Sequence, residues 1–109
     1  MAYDEGLAER IREILADVPD VTEKKMFGGL CLLVSGNMCC GIIDDILMAR
    51  VGPEQYEECL KLPHAREMDF TGRPMKGMVN VDPEGIAEDE DLSAWIDRCM
   101  VFMKTLPRK

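Results

Sequence analysis

Four short apolar runs, joined by connections too short to do anything but reverse the chain, constrain this sequence more than any other feature. Residues 23–27, 29–34, 38–43 and 46–51 read as strands, with Ser35-Gly36-Asn37 and Asp44-Asp45 between the later pairs. A parallel crossover needs a dozen or more residues, so neighbours this close must pair antiparallel. The middle strands are apolar on both faces, so helices or a partner should cover them.

Helical patterns flank this block. Leu7, Ile11, Ile14, Leu15 and Val18 recur at helical spacing over residues 4–18, and Pro19-Asp20 stops the run. Gly52-Pro53 opens a short helix through residue 60, since the missing proline N–H would be unpaired in a first turn anyway. Residues 66–70 and 75–81 alternate and form a second hairpin around Thr71-Gly72-Arg73-Pro74. An acidic connection then leads into a helix over residues 92–106, striped by Leu92, Trp95, Ile96, Cys99, Phe102, Met103 and Leu106. The order is α-β-β-β-β-α-β-β-α. It predicts an α+β fold with an antiparallel sheet in one layer and helices packed on it in a second. The 109 residues suit a single domain spanning 1–109.

Composition excludes several function classes. The formal charge of −8 lacks the basic footprint that counterion release requires, so direct nucleic-acid binding is disfavoured. The same charge disfavours anionic membranes, and no apolar stretch approaches a membrane span. Five cysteines, an odd number set mostly in apolar runs, do not suit a disulfide framework. With no signal-peptide pattern near the start, reduced thiols and a cytoplasmic location are expected.

Residues with chemical potential are few. Phe27-Gly28-Gly29 resembles a phosphate cradle only superficially, because a strand follows it rather than a helix N-terminus. Cys39 and Cys40 are adjacent in a strand, so alternation points them to opposite faces and they read as buried structural thiols. Cys31, Cys39, Cys40 and His64 have no zinc-like spacing, and neither a metal nor a cofactor is expected. His64, the sole histidine, follows a proline in a loop and lacks the partners of a hydrolytic triad. Residues 88–91, Glu-Asp-Glu-Asp, read as a solvated helix start rather than a calcium loop. Trp95 reads as core.

One ordered set of motifs carries a resemblance. Lys25-Met26-Phe27-Gly28-Gly29, Gly36-Asn37-Met38, Arg50-Val51-Gly52, Asp69-Phe70-Thr71-Gly72-Arg73-Pro74-Met75-Lys76-Gly77 and the Trp95 helix ending at Leu106-Pro107 together resemble the TfoX N-terminal domain family over nearly the whole chain. The resemblance implies a two-layer antiparallel fold similar to that of secretion chaperones. It also implies a bacterial regulatory setting. The family is named for a regulator of DNA-uptake competence, a transcriptional co-activator whose longer chain adds a C-terminal helical domain. This chain is similar to the stand-alone members, and the resemblance supplies no catalytic motif.

The expectation is therefore a non-enzymatic interaction domain, regulatory in role, acting through a protein partner of which a second copy is one candidate. Its candidate interaction surface comprises Lys24, Lys25, Phe27, Arg50, Arg73 and Lys76. The alternative is a small-ligand-binding domain or an unrecognised enzyme, with a pocket holding convergent polar groups such as Arg73, Lys76 or His64.

Overall fold

The computed structural model describes residues 3–26, 28–67 and 76–107. Its elements run α1 (Glu5–Ile14), β1 (Val21–Met26), β2 (Gly29–Val34), β3 (Asn37–Ile43), β4 (Ile46–Arg50), α2 (Pro53–Leu60), β5 (Ala65–Glu67), β6 (Met78–Val81) and α3 (Asp89–Met103), with a 3-10 turn at Pro83–Gly85 before α3. The order of helices and strands is the one the sequence predicts, and the fold is α+β.

The six strands form one antiparallel sheet in the order β1-β2-β3-β4-β6-β5. The turn between β2 and β3 is the two-residue kind that matches sheet twist. Ser35 and Gly36 both have positive φ, 52° and 83°, between the paired Val34 and Asn37. Buried Asn37 then donates from Nδ2 to the Pro107 carbonyl at 2.9 Å and ties this hairpin to the end of the chain. In the second hairpin Ala65, Arg66 and Glu67 pair with Val81, Asn80 and Val79, and the turn predicted at residues 71–74 lies outside the described residues.

The helices start and stop for local reasons. Asp4 caps α1 by accepting from the Leu7 N–H at 3.2 Å. The helix ends at Ile14, four residues before the predicted boundary. There the chain tightens into turns, with Ala16 N–H on Glu13 and Val18 N–H on Leu15, ahead of Pro19. Leu15 is still buried and Val18 still packs on the core, so the apolar stripe was read correctly although the helix is shorter. α3 instead starts earlier than predicted and takes Asp89, Glu90 and Asp91 as its first turn, where the helix dipole favours acids. Gly52 caps α2 at φ 84°, and a Cβ there would lie 2.3 Å from the Phe102 ring, so glycine is required twice over.

All three helices contribute to one core. Leu7, Ala8 and Ile11 of α1, Tyr56 and Cys59 of α2, and Leu92, Trp95, Ile96 and Cys99 of α3 meet Leu30, Leu32, Ile42, Leu47, Ala49, Val79 and Val81 of the sheet. A separate small cluster on the opposite face joins buried Met48 and Met78 to half-buried Met38 and Ile43.

Candidate functional site

The candidate surface residues do not gather at one place. Lys24 and Lys25 are exposed on β1, opposite Cys31 and Leu30 of β2, and as consecutive strand residues they point to opposite faces. Arg50 lies at the far end of β4, three strands away in the sheet order. It is half-buried, donates from Nη1 to the Met38 carbonyl at 3.3 Å and stacks its guanidinium 5.2 Å from the Phe102 ring centroid. Lys76 is exposed at the same end as Arg50, next to Gly77, whose carbonyl accepts from Val51 and Gly52. Phe27 and Arg73 lie outside the described residues.

His64 does line a cleft. It sits at φ 65° in the turn between α2 and β5, exposed, on a hollow of about 290 Å³ shared with Pro63, Glu84, Asp91, Trp95 and Arg98. The Arg98 guanidinium stacks 4.9 Å over the Trp95 ring. Trp95 is buried, as its stripe predicts, and its ring also supplies one wall of the hollow. Glu84 and Asp91 bring carboxylates to the rim. The cleft thus holds one cation on an aromatic platform, two acids and an imidazole. Only His64 of this set was singled out as a pocket residue from sequence, because the rest converge through the packing of α3 against the Pro83–Gly85 turn.

The cysteines gather where alternation forbids it. β2 and β3 slip register between Leu32 and Leu33: Leu32 pairs with Cys40 and Leu33 with Met38, leaving Cys39 as the extra residue of a β-bulge. The expectation that Cys39 and Cys40 face opposite ways is therefore wrong. Both enter the helix-side core. Cys99 of α3 belongs to the same core. Cys39 accepts from Cys40 and from Cys99, with the Arg50 guanidinium nearby, and these contacts hold its thiol well below the ordinary range against the opposing effect of burial. Cys40 and Cys99 are pushed up, first by donating to Cys39 and then by burial. Burial alone pushes Cys31 up, and it is the main cause for Cys59. All five cysteines are free and buried. Among the described residues, no group of three or more Cys, His, Asp or Glu is arranged to hold a metal ion.

The acidic run before and within the first turn of α3 is partly engaged by α1. Arg10 pairs with Asp89 at 3.1 Å and donates to the Ile86 carbonyl at 2.8 Å, which clamps the two helices together. A model of the TfoX N-terminal domain matches residues 13–103. The chain belongs to the TfoX N-terminal domain family. No curated protein and no solved structure matches it. The match begins inside α1 and ends at the last residue of α3, so the sheet, the cleft and the core cysteines all lie within the matched span. The family is linked to competence or regulation.

Proposed function

We propose that this TfoX N-terminal domain is a non-enzymatic, cytoplasmic interaction domain with a regulatory role, acting through a protein partner. One observation carries the reading. β1 is an edge strand, paired among the described residues with β2 alone, and it presents exposed Lys24 and Lys25 on its two faces. An edge strand offers a row of unpaired backbone groups to an added strand. Lysine on either face selects an acidic segment from the available partners. Arg50, at the end of β4 three strands away, and Lys76 supply a separate cationic position, and Phe27 and Arg73 of the proposed surface lie outside the described residues. The described exterior favours polar recognition, since Val101 is the one large apolar side chain among the described residues that is left exposed. No described helix is long and apolar enough to cross a membrane.

The test is a quantitative affinity purification from native lysate with tagged wild type, Lys24→Glu/Lys25→Glu and, separately, Lys76→Glu. Circular dichroism first confirms that each variant is folded. Loss of one specific partner in the β1 variant, but not in the Lys76 variant, supports the edge. A partner retained by both variants rejects it, and the absence of any specific partner rejects the interaction reading.

The cleft at His64 favours a second reading, a small-ligand-binding domain. Arg98, with its guanidinium over the Trp95 ring, brings a cation to a hollow that Glu84 and Asp91 also line. Thermal-shift screening of zwitterionic metabolites against wild type and Arg98→Ala checks it. Ligand shifts that survive the substitution place binding elsewhere.

A further inference from the structure

The hollow beside His64 has walls whose backbone is tied down on both sides. His64 holds a φ of 65°, uncommon for a residue with a side chain, and its carbonyl accepts from the Asp82 N–H at 3.0 Å. The Pro83–Gly85 turn runs so close that a Cβ on Gly85 would lie 2.9 Å from the His64 Cβ and 2.8 Å from the Val81 side chain. Glycine at this position is therefore what lets the turn close on His64. The other wall belongs to α3, and its Arg98 carbonyl accepts from Gln55 Nε2 of α2 at 3.1 Å. A cleft held this way keeps its shape before a ligand arrives, which reduces the ordering cost of binding.

Charge of both signs lines this hollow without being spent internally. Among the described residues, ion pairs join Arg10 to Asp89, Arg12 to Glu23 and Arg66 to Asp82, and none joins Arg98 to Glu84 or Asp91. The Arg98 guanidinium lies over the Trp95 ring instead, 4.9 Å from its centroid. Leu62 and Ala94 add apolar wall. The volume of about 290 Å³ sits at the small end of small-molecule sites and suits an amino acid better than a nucleotide. We infer that the cleft binds a free α-amino acid with an apolar side chain, an inference that rests on the small-ligand reading of the cleft and names its ligand class.

The lining assigns a partner to each part of such a ligand. The α-carboxylate takes Arg98, because a guanidinium offers paired, planar donors that match a carboxylate. The α-ammonium takes Glu84 and Asp91, which are acceptors only when ionised. The side chain takes the apolar wall at Leu62 and Ala94. A ligand with anionic groups alone would bring its charge to two carboxylates, and one with cationic groups alone would bring its charge to Arg98. Like charges brought together in this way are costly, so the set selects a ligand that carries both signs.

Trp95 is the sole tryptophan of the chain and lines the hollow, so its fluorescence reports on this place. The experiment titrates the full chain with L-leucine, with L-leucinamide, which lacks the carboxylate, and with isocaproate, which lacks the ammonium. Amide NMR spectra locate the contact. Leucine is expected to saturate the signal, with each analogue about tenfold or more weaker, the size of one lost charge-assisted hydrogen bond. Arg98→Gln should erase the preference for leucine over leucinamide and keep the preference over isocaproate. Glu84→Gln/Asp91→Asn should do the reverse. If a variant does not fold by circular dichroism, the three-ligand comparison on wild type decides alone. An analogue that binds at this place as tightly as leucine overturns the amino-acid inference and leaves the cleft a small-ligand site. Leucine shifts that avoid Gly85, Ala94 and Trp95 overturn both. No response to any of the three at millimolar concentration overturns the amino-acid inference, and the small-ligand reading is then decided by the wider screen of zwitterionic metabolites.

Discussion

The two faces of the sheet are buried by different materials. The helix side is built of branched aliphatics, with Leu32, Ile42, Leu47, Val79 and Val81 locked against Ile11, Leu92 and Ile96 of the helices. The other side rests on methionine, with Met48 and Met78 buried and Met38 and Ile43 half-buried around them. Branched side chains in a tight interior relax little when one is removed, whereas thioethers re-rotate to fill gaps. The difference teaches that one face supplies the unique packing of the domain and the other supplies tolerance.

Truncation on both faces tests this contrast most strongly. Leu32→Ala, fully buried under the helices, is expected to cost about 3–5 kcal/mol in urea unfolding, and Met48→Ala about 2 kcal/mol. Equal losses would break the comparison. Overfilling sharpens it from the other direction. A Cβ on Gly41 would meet the Met48 terminal methyl at 2.7 Å and the Met38 methyl at 3.3 Å, both the free ends of flexible chains, and the Leu30 carbonyl oxygen, which is backbone, at the looser distance of 3.1 Å. One on Gly29 would meet the Ile42 carbonyl oxygen, which is backbone, at 2.2 Å. Gly41→Ala should therefore cost only about 1 kcal/mol, and Gly29→Ala clearly more in the same assay.

The smallest effect belongs to the margin of the helix face, where Arg12 of α1 reaches Glu23 of β1 with bonds of 2.6 and 2.8 Å. The pair is about one-third exposed, so Arg12→Ala should cost under about 1 kcal/mol. Its pH signature has a definite sign. The hydrogen bond from Arg12 lowers the Glu23 carboxyl below its ordinary 4.5. Its contribution is complete above that value and disappears as pH falls through the lowered one. Wild type and variant should therefore converge in stability on acidification. A gap that persists at low pH would mean that Arg12 acts through its aliphatic stem instead.

Much of the fold was legible because its signals are local. Connections of two or three residues allow no pairing of β2, β3 and β4 except the antiparallel one, and a stripe at helical spacing must be buried somewhere. Helix ends were read less well. α1 stops early because its last stripe residues are carried by turns, and α3 starts early because its acids belong to a first turn. The candidate surface was chosen by residue type, and type does not report position, so Lys24 and Lys25 lie far from Arg50 and Lys76. Trp95 was legible as core, but the cleft that it and Arg98 line together was not, since the opposing wall comes from a turn.

By itself, the sequence determined that this chain makes an antiparallel α+β fold, that its thiols are buried, and which stripe each helix turns inward. These follow from periodicity and loop length, which act between near neighbours. Only the tertiary structure decided that β6 inserts beside β4 and leaves β5 at the edge, that one extra residue in β3 turns Cys39 and Cys40 to the same side, and that Cys99 meets them there. A bulge leaves no mark in composition or spacing. It arises where two strands settle their register against a packed helix, so residues 60 positions apart in sequence become neighbours only when the core closes.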